Sequence, residues 1–175
     1  MANGYQPELW RDVFVMLGTA AAALIGLLFI ATSLHLEEIV KNQMYRIRAR
    51  NNLFYLWIML VQAALVLIPQ PMAALGIELT VIVVFLLFLH IKNFYLFLYK
   101  NKEMGVRGGF QIYTTLRFIT SDLLGLAGAA FLVALSNWGM YLITASYLIF
   151  IGSVIYSAWL IMLGVGQAET VRKAT

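Results

Sequence analysis

The stretch VFVMLGTAAAALIGLLFIATSL, residues 13–34, has no charged side chain at any of its 22 positions. As an α-helix it would be about 33 Å long, and the hydrocarbon core of a bilayer is about 30 Å thick. A helix that is apolar on every side is typical of a membrane span or of the core of a large protein. In a chain of this size the stretch therefore predicts a transmembrane helix.

The composition of the whole chain indicates that it crosses the membrane more than once. Of its 175 residues 62% are hydrophobic and 11% are charged, and the mean hydropathy is +0.86. A soluble domain has about 25% charged residues. The chain has no cysteine, which excludes disulfides and cysteine-ligated metal sites. Glu8 and Asp12 precede the first apolar stretch in place of a basic region, so we expect no cleavable signal peptide.

The apolar segments predict an all-α polytopic membrane protein. We expect a single transmembrane helical domain over residues 1–175, with five helices in a compact bundle. The second segment looks short unless it starts near Ala49, and the third is longer than a bilayer requires. The predicted spans are residues 13–34, 53–68, 72–99, 110–135 and 138–163.

Short turn segments separate these spans. The two prolines of PQP (69–71) cannot donate backbone hydrogen bonds, so they end the second helix. GVRGG (105–109) predicts a flexible connection, and SNWG (136–139) predicts a tight turn whose serine or asparagine caps the next helix. GVGQ (164–167) predicts the end of the last helix. Because the connections are short, we expect neighbouring spans to pack as antiparallel hairpins.

Lysine and arginine residues predict the orientation. They cluster in the first and third connections and in the C-terminal tail, whereas the PQP and SNWG turns have none. Basic segments favour the cytoplasmic side of a membrane. We therefore expect the N-terminus outside and the C-terminus in the cytoplasm, in the inner membrane of a bacterium. This arrangement explains the formal charge of +4 without a nucleic-acid partner.

Residues 35–50 form an amphipathic segment after the first span. We expect the first helix to continue past the membrane there or to bend along its inner surface. The basic residues of this segment either only fix the orientation or also bind anionic lipid head groups. They are Lys41, Arg46, Arg48 and Arg50.

Aromatic residues flank the predicted spans, as at many membrane–water interfaces. An outer belt is predicted from Tyr5, Trp10, Trp138 and Tyr141, and an inner belt from Tyr45, Phe94, Tyr95, Phe97 and Tyr99.

Small residues mark faces on which helices can approach closely. Gly18, Ala22 and Gly26 recur at every fourth position of the first span, and Gly125 and Gly128 share a face of the fourth. These stripes predict helix packing, within one subunit or between subunits, with pore lining as the alternative. The serines of the fifth span form a similar stripe.

The fourth span carries an acid close to the middle of the membrane. A bare carboxylate at that depth costs about 2.5–3.5 kcal/mol on insertion scales, so Asp122 needs a partner or a wet cavity. Arg117 is about 140° away around the same helix, which makes it a poor partner. We expect it to extend towards the inner head groups. Ser121 adjoins the acid on the polar face.

The third span offers better partners for Asp122. If this span covers residues 79–98, His90 lies at the depth of Asp122, with Lys92 and Asn93 nearby. If it covers residues 72–91, His90 and Lys92 reach the inner interface and Glu78 becomes the buried charge. We favour one long tilted helix. An Asp–His or Asp–Lys pair in a bilayer is either a proton or ion site or a structural link between two helices.

These residues lead to two main functional expectations. The first is an oligomeric ion or proton channel or transporter that uses a buried polar site around Asp122. The alternative is a non-catalytic accessory, assembly or regulatory subunit of a larger membrane complex. A third, less favoured hypothesis is a haem b bound between His35 and His90. No hydrolase, zinc-protease or Walker motif is present, so we expect no enzyme activity.

Overall fold

The computed structural model describes residues 7–41, 43–104 and 108–173. The described residues form six helices, and five of them are long and apolar enough to cross a membrane. The predicted all-helical architecture with five membrane-spanning helices is confirmed at this level. The helices are α1 (Pro7–Leu34), α2 (Leu36–Lys41), α3 (Gln43–Leu67), α4 (Met72–Met104), α5 (Gly108–Val133) and α6 (Trp138–Lys173).

Four helices are longer than the sequence suggested, among them α1, which begins at Pro7 and not at Val13. α3 begins ten residues before the predicted span at Leu53, and α4 continues to Met104. The GVGQ segment does not end α6, which continues to Lys173, so that prediction is wrong. A glycine inside a helix costs only about 1 kcal/mol relative to alanine, and good helix formers such as Ala168 and Glu169 follow. Most of the GVRGG connection, residues 105–107, lies outside the described residues.

The first helix bends after it leaves the apolar stretch. α1 ends at Leu34, and the short helix α2 starts after a turn at His35, whose carbonyl accepts a hydrogen bond from the Ile39 amide. Ile39 of α2 is buried against Ala49 of α3, with Tyr45 packed beside them. The helix is therefore interrupted at His35 and α2 packs on α3; a course along the inner membrane surface stays a prediction.

The order of helix packing differs from a series of hairpins. α1 packs on α3, α3 on α6, α6 on α5 and α5 on α4. α3 and α4 approach each other at few positions, although only the PQP turn separates them, so the expected second hairpin is wrong. Gly76 of α4 supplies a physical reason. A Cβ atom at this position would lie 2.9 Å from the Ala129 carbonyl oxygen, so glycine lets α4 press on α5.

Glycines also bring α5 and α6 together. A Cβ atom on Gly139 of α6 would lie 2.6 Å from the Gly128 carbonyl oxygen, and one on Gly125 would lie 3.0 Å from Ser146 Oγ. Gly125 and Gly128 therefore lie at a helix contact inside the subunit, where a larger side chain would separate the backbones.

The glycine–alanine stripe of α1 divides between two environments. Gly18 is buried, and a Cβ atom there would lie 3.3 Å from Ala63 of α3. Ala22 and Gly26 are exposed, and a Cβ atom on Gly26 would meet nothing within 4 Å. Only the Gly18 end of the stripe packs within the chain; packing of the other two against another subunit stays a prediction.

The bundle has two chemically different ends. Trp10 of α1 contacts Tyr141 of α6 edge-to-face at a centroid distance of 4.8 Å, and Trp138 lies 5.6 Å from Tyr141. We call this the aromatic end; Tyr5 lies outside the described residues. Gly18 of α1 contacts Ala63 near the end of α3, and Ile39, which follows α1, contacts Ala49 near the start of α3, so α3 runs antiparallel to α1. The basic residues of α2 and of the start of α3 therefore lie at the opposite, basic end.

The turn between α5 and α6 holds a leucine in an unusual conformation. Leu135 has a φ of 59°, and the Ser136 amide donates to the Phe131 carbonyl at 2.9 Å. The Leu135 amide also donates to the Leu132 carbonyl. This hydrogen-bond pair is a Schellman motif, in which the left-handed position usually belongs to glycine.

We expect Leu135→Gly to stabilise the protein. The left-handed conformation costs about 1–2 kcal/mol for an L-residue, and the Leu135 side chain is 66% exposed, so its removal loses little burial. Thermal unfolding in detergent should shift upward. The control Ala134→Gly, one residue earlier and without a positive φ, should shift it downward. A lower unfolding temperature for Leu135→Gly would contradict this reading of the turn.

Candidate functional site

A histidine and an aspartate meet in the interior between α4 and α5. His90 Nδ1 lies 2.5 Å from Asp122 Oδ2, and each residue is only 3% exposed. The structure thus brings Asp122 together with His90, the residue of the third span that was expected at the same depth in the membrane. The part of α4 that is apolar enough to cross a membrane is Met72–Tyr95, and the corresponding part of α5 is Thr115–Val133. Both residues lie in the half of their span that is nearer to the basic end.

Aromatic side chains surround the pair. The His90 ring stacks on Phe118 of α5 with a centroid distance of 4.9 Å and an interplanar angle of 17°. Tyr55 of α3 lies 4.8 Å from the same ring, and Phe150 of α6 lies 6.1 Å away. We call Tyr55, Phe118 and Phe150 the aromatic box. Because three helices contribute to it, lipid does not reach the carboxylate.

The close contact requires a proton between the two side chains. With one proton on Nδ1 and an ionised carboxylate, the pair has a net charge of −1 while Nε2 is a free acceptor. A second proton on Nε2 gives an imidazolium–carboxylate pair with no net charge. The two forms differ by one proton and by one unit of charge.

Further polar groups lie beside the aromatic box. The Asn93 side chain lies near the Tyr55 hydroxyl. Asn52 precedes Tyr55 by one helical turn and is 2% exposed. Within the described part of the chain, neither Asn52 Nδ2 nor His90 Nε2 has a hydrogen-bond partner, although both atoms are buried. Buried polar atoms without a partner are rare and call for an explanation.

Ser121 belongs to a separate link between α5 and α6. Its hydroxyl donates to the Ser146 carbonyl at 2.7 Å, and the Ser146 hydroxyl donates to the Ser121 carbonyl at 2.8 Å. These reciprocal bonds satisfy both serines and clamp the two helices together. The structure therefore assigns Ser121 a contact with α6 and not with Asp122.

Arg117 does not pair with Asp122 in the described contacts. Its guanidinium lies over two aromatic rings, 5.7 Å from the Tyr113 centroid and 5.3 Å from the Tyr156 centroid. Arginine is attracted to the face of an aromatic ring at such distances. Lys92 is exposed, so it also lies apart from the pair.

The remaining predicted residues lie towards the basic end. Lys41 pairs with Glu37 at 3.7 Å on the surface of α2, Arg46 and Arg50 are exposed, and Arg48 is half-buried. His35 lies in the turn between α1 and α2, and no described contact joins it to His90. The haem hypothesis stays a prediction. The described residues contain no group of three or more residues suited to hold a metal ion.

Glu78, the alternative buried acid, has a different environment. It is half-buried near the start of α4, where its Oε2 accepts a hydrogen bond of 3.0 Å from Gln70 in the PQP turn. The same Gln70 nitrogen also donates to the Leu65 carbonyl. Glu78 thus belongs to the turn at the aromatic end, whereas Asp122 is the acid of the interior.

Comparisons of the chain with protein families, with characterised proteins and with solved structures give no match. The geometry of the His90–Asp122 pair is therefore the main indication of function.

Several residues of the site were absent from the sequence-based candidates. Asn52 and Tyr55 stand in the ARNNLFYLW stretch at the start of the second span, where a polar residue among apolar ones is a usable signal. Phe118 and Phe150 carried no such signal, because aromatic residues are common throughout this chain.

The pair should be strongly coupled in stability. We expect His90→Leu to destabilise the protein by about 3–5 kcal/mol, because it leaves Asp122 buried and unpartnered. The double variant His90→Leu/Asp122→Leu should recover most of that loss, since no buried charge remains. Thermal or denaturant unfolding of the single and double variants in detergent measures the coupling. Additive effects of the two substitutions would show that the contact contributes little.

Proposed function

We propose that the protein is a small oligomeric membrane transporter or channel for protons, in which the His90–Asp122 pair is the proton-binding site. The observation that carries this proposal is the burial of two titratable groups in direct contact within the predicted membrane spans. Ionisable residues at such depth are expensive in free energy and are usually retained for function.

The chemistry of the pair suits a proton better than a metal cation. Asp122 and His90 each offer one nitrogen or oxygen in contact with the other, and the rings of the aromatic box occupy the surrounding space. A hard cation such as Na⁺ or Ca²⁺ needs several oxygen ligands. A proton needs only one lone pair, which Nε2 of His90 supplies in the neutral ring.

The proposed orientation places the aromatic end outside and the basic end in the cytoplasm of a bacterial inner membrane. It is supported by the basic residues of α2 and α3 and by the cluster of Trp10, Trp138 and Tyr141 at the other end. In this orientation Lys41, Arg46, Arg48 and Arg50 face anionic lipid head groups.

An oligomer is part of the proposal because one subunit is closely packed. Glycine contacts bring α4, α5 and α6 together and leave little room for a continuous path between them. The exposed Ala22 and Gly26 of α1 offer a face on which a second transmembrane helix can approach closely. The same face favours the second candidate function, an accessory subunit that binds a different membrane protein.

Proton flux into liposomes tests the proposed function. We expect the purified protein to dissipate a pH gradient, and Asp122→Asn and His90→Gln each to slow it at least tenfold, because the pair then loses a proton-binding group. The matched control is Thr120→Ala. This residue lies on the same helix, and its exposed hydroxyl donates to the backbone carbonyl of Leu116, one turn earlier.

Two outcomes would contradict transport by this site. Unchanged proton flux in Asp122→Asn would show that transported protons do not pass through the pair. A silent wild-type protein that co-purifies with other membrane chains would favour the accessory subunit.

Cysteine labelling tests the orientation. The chain has no cysteine, so single substitutions give unambiguous signals. In intact cells we expect Asn137→Cys in the α5–α6 turn to react with a membrane-impermeant maleimide, and Arg50→Cys to react only after permeabilisation. The opposite pattern would invert the proposed orientation.

A further inference from the structure

Two buried nitrogens suggest how the His90–Asp122 pair exchanges its proton. Asn52 Nδ2 and His90 Nε2 have no hydrogen-bond partner among the described residues. An unsatisfied buried polar group costs about 1–3 kcal/mol, so retaining two of them without a partner would be expensive. A buried water molecule usually makes two to four hydrogen bonds, and it is the ordinary way in which such groups are satisfied.

The two nitrogens belong to one polar strip between α3 and α4. Asn52 and Tyr55 are one turn apart on α3, and His90 and Asn93 are one turn apart on α4. Tyr55 joins the two helices, because its ring contacts His90 and its hydroxyl lies near the Asn93 side chain. The two nitrogens of an imidazole point to different sides, so Nε2 points away from Asp122.

The strip leads from His90 towards the basic end. α3 starts at that end, and Asn52 precedes Tyr55, whereas α4 runs towards that end, and Asn93 follows His90. Each step of one turn advances the strip by about 5 Å. Asn93 is exposed two residues before the end of the apolar span Met72–Tyr95, so the strip reaches the surface of the protein close to the basic end of the span. Among the five helices long enough to cross a membrane, α3 and α4 are the consecutive pair that packs least closely.

The opposite direction is closed by apolar packing. Leu75 and Leu79 of α4 and Ala129 and Leu132 of α5 are at most 2% exposed between the pair and the aromatic end. The serine link and Gly125 close the contact between α5 and α6.

We propose that buried water connects His90 Nε2 to the aqueous phase at the basic end, along Asn52 and Asn93, and that the pair exchanges protons with that side only. This inference deepens the proposed function and rests on it for the role of the pair. A hydrated proton from the basic end transfers to the Nε2 lone pair, water remains, and the charge of the pair changes from −1 to 0. Release of the proton from Nε2 to water reverses both changes.

The groups that face the pair are consistent with this assignment. Tyr55 from α3 is the titratable neighbour next to His90, and Asp122 from α5 is its direct partner. α6 contributes the uncharged Phe150, while the nearest described cation on α5, Arg117, is held by Tyr113 and Tyr156. Proton exchange at Nε2 therefore depends on access by water, and Asn52 and Asn93 provide the polar wall for it.

Nitrogen NMR of reconstituted protein tests the inference, because the chain has two histidines. His35→Gln leaves His90 as the single imidazole, whose ¹⁵N signals distinguish the neutral from the protonated ring and report magnetisation transfer from water. In this background Asn52→Leu and Asn93→Leu should each reduce transfer from water to Nε2 at least fivefold. Asn52→Ala, which enlarges the space, should retain it.

The matched control is Gln62→Leu, which replaces another buried amide of α3 on the aromatic-end side. It should leave the transfer unchanged. Full transfer in both leucine variants of the strip, or an equal loss in Gln62→Leu, would overturn the proposed path.

Strongly buffered vesicles test the one-sidedness. Labelling of Lys41→Cys from outside gives the fraction of molecules whose basic end faces outward. We expect the same fraction of the His90 signal to follow the external pH. Access from the basic end alone would be contradicted if the external pH changed the His90 signal of the molecules whose basic end faces inward, or of all molecules. Because this readout needs no net flux, a one-sided response in a protein that transports no protons would support the inference while the proposed function fails.

Discussion

The contact between His90 and Asp122 is the interaction on which the interior depends. Hydrocarbon cannot solvate a carboxylate, so α5 can cross a membrane with Asp122 only if another helix covers the carboxyl group and hydrogen-bonds to it. α4 does both, because His90 contacts the carboxyl group and Gly76 lets the two backbones approach. The aromatic box then closes the site with residues from α3, α5 and α6. One buried acid thereby ties four helices to a common point.

The link between α5 and α6 uses a different chemistry. Reciprocal bonds between Ser121 and Ser146 satisfy hydroxyl and carbonyl groups without any charge, and the glycines beside them remove steric bulk. Tyr147 adds a buried bond of 3.2 Å to the Met59 carbonyl, which fastens α6 to α3. The charged contact and the uncharged ones therefore have separate roles: the first covers a buried carboxyl group, and the others hold the helices around it.

The number of spans could be predicted from the sequence because it depends on local hydropathy and on turn residues. The importance of Asp122 followed from the same local information, since a carboxylate among apolar residues is conspicuous. The packing order could not be predicted, because it depends on which surfaces fit together. Gly76 brings α4 to α5, and no local pattern distinguished that glycine from Gly26, which meets no neighbour. The same holds for Phe118 and Phe150, whose role depends on the position of His90.

The sparse packing between α3 and α4 has a mechanical consequence. Local opening of a protein starts where the fewest buried contacts must be lost. Along this line the described contacts include the Tyr55–His90 ring contact and the approach of the Tyr55 hydroxyl to Asn93, both of which depend on a single tyrosine. The prolines of the PQP turn make the connection between α3 and α4 rigid at the aromatic end. A rotation of the Tyr55 side chain would therefore let α3 and α4 separate beside the buried acid, while the closely packed α4, α5 and α6 keep their arrangement.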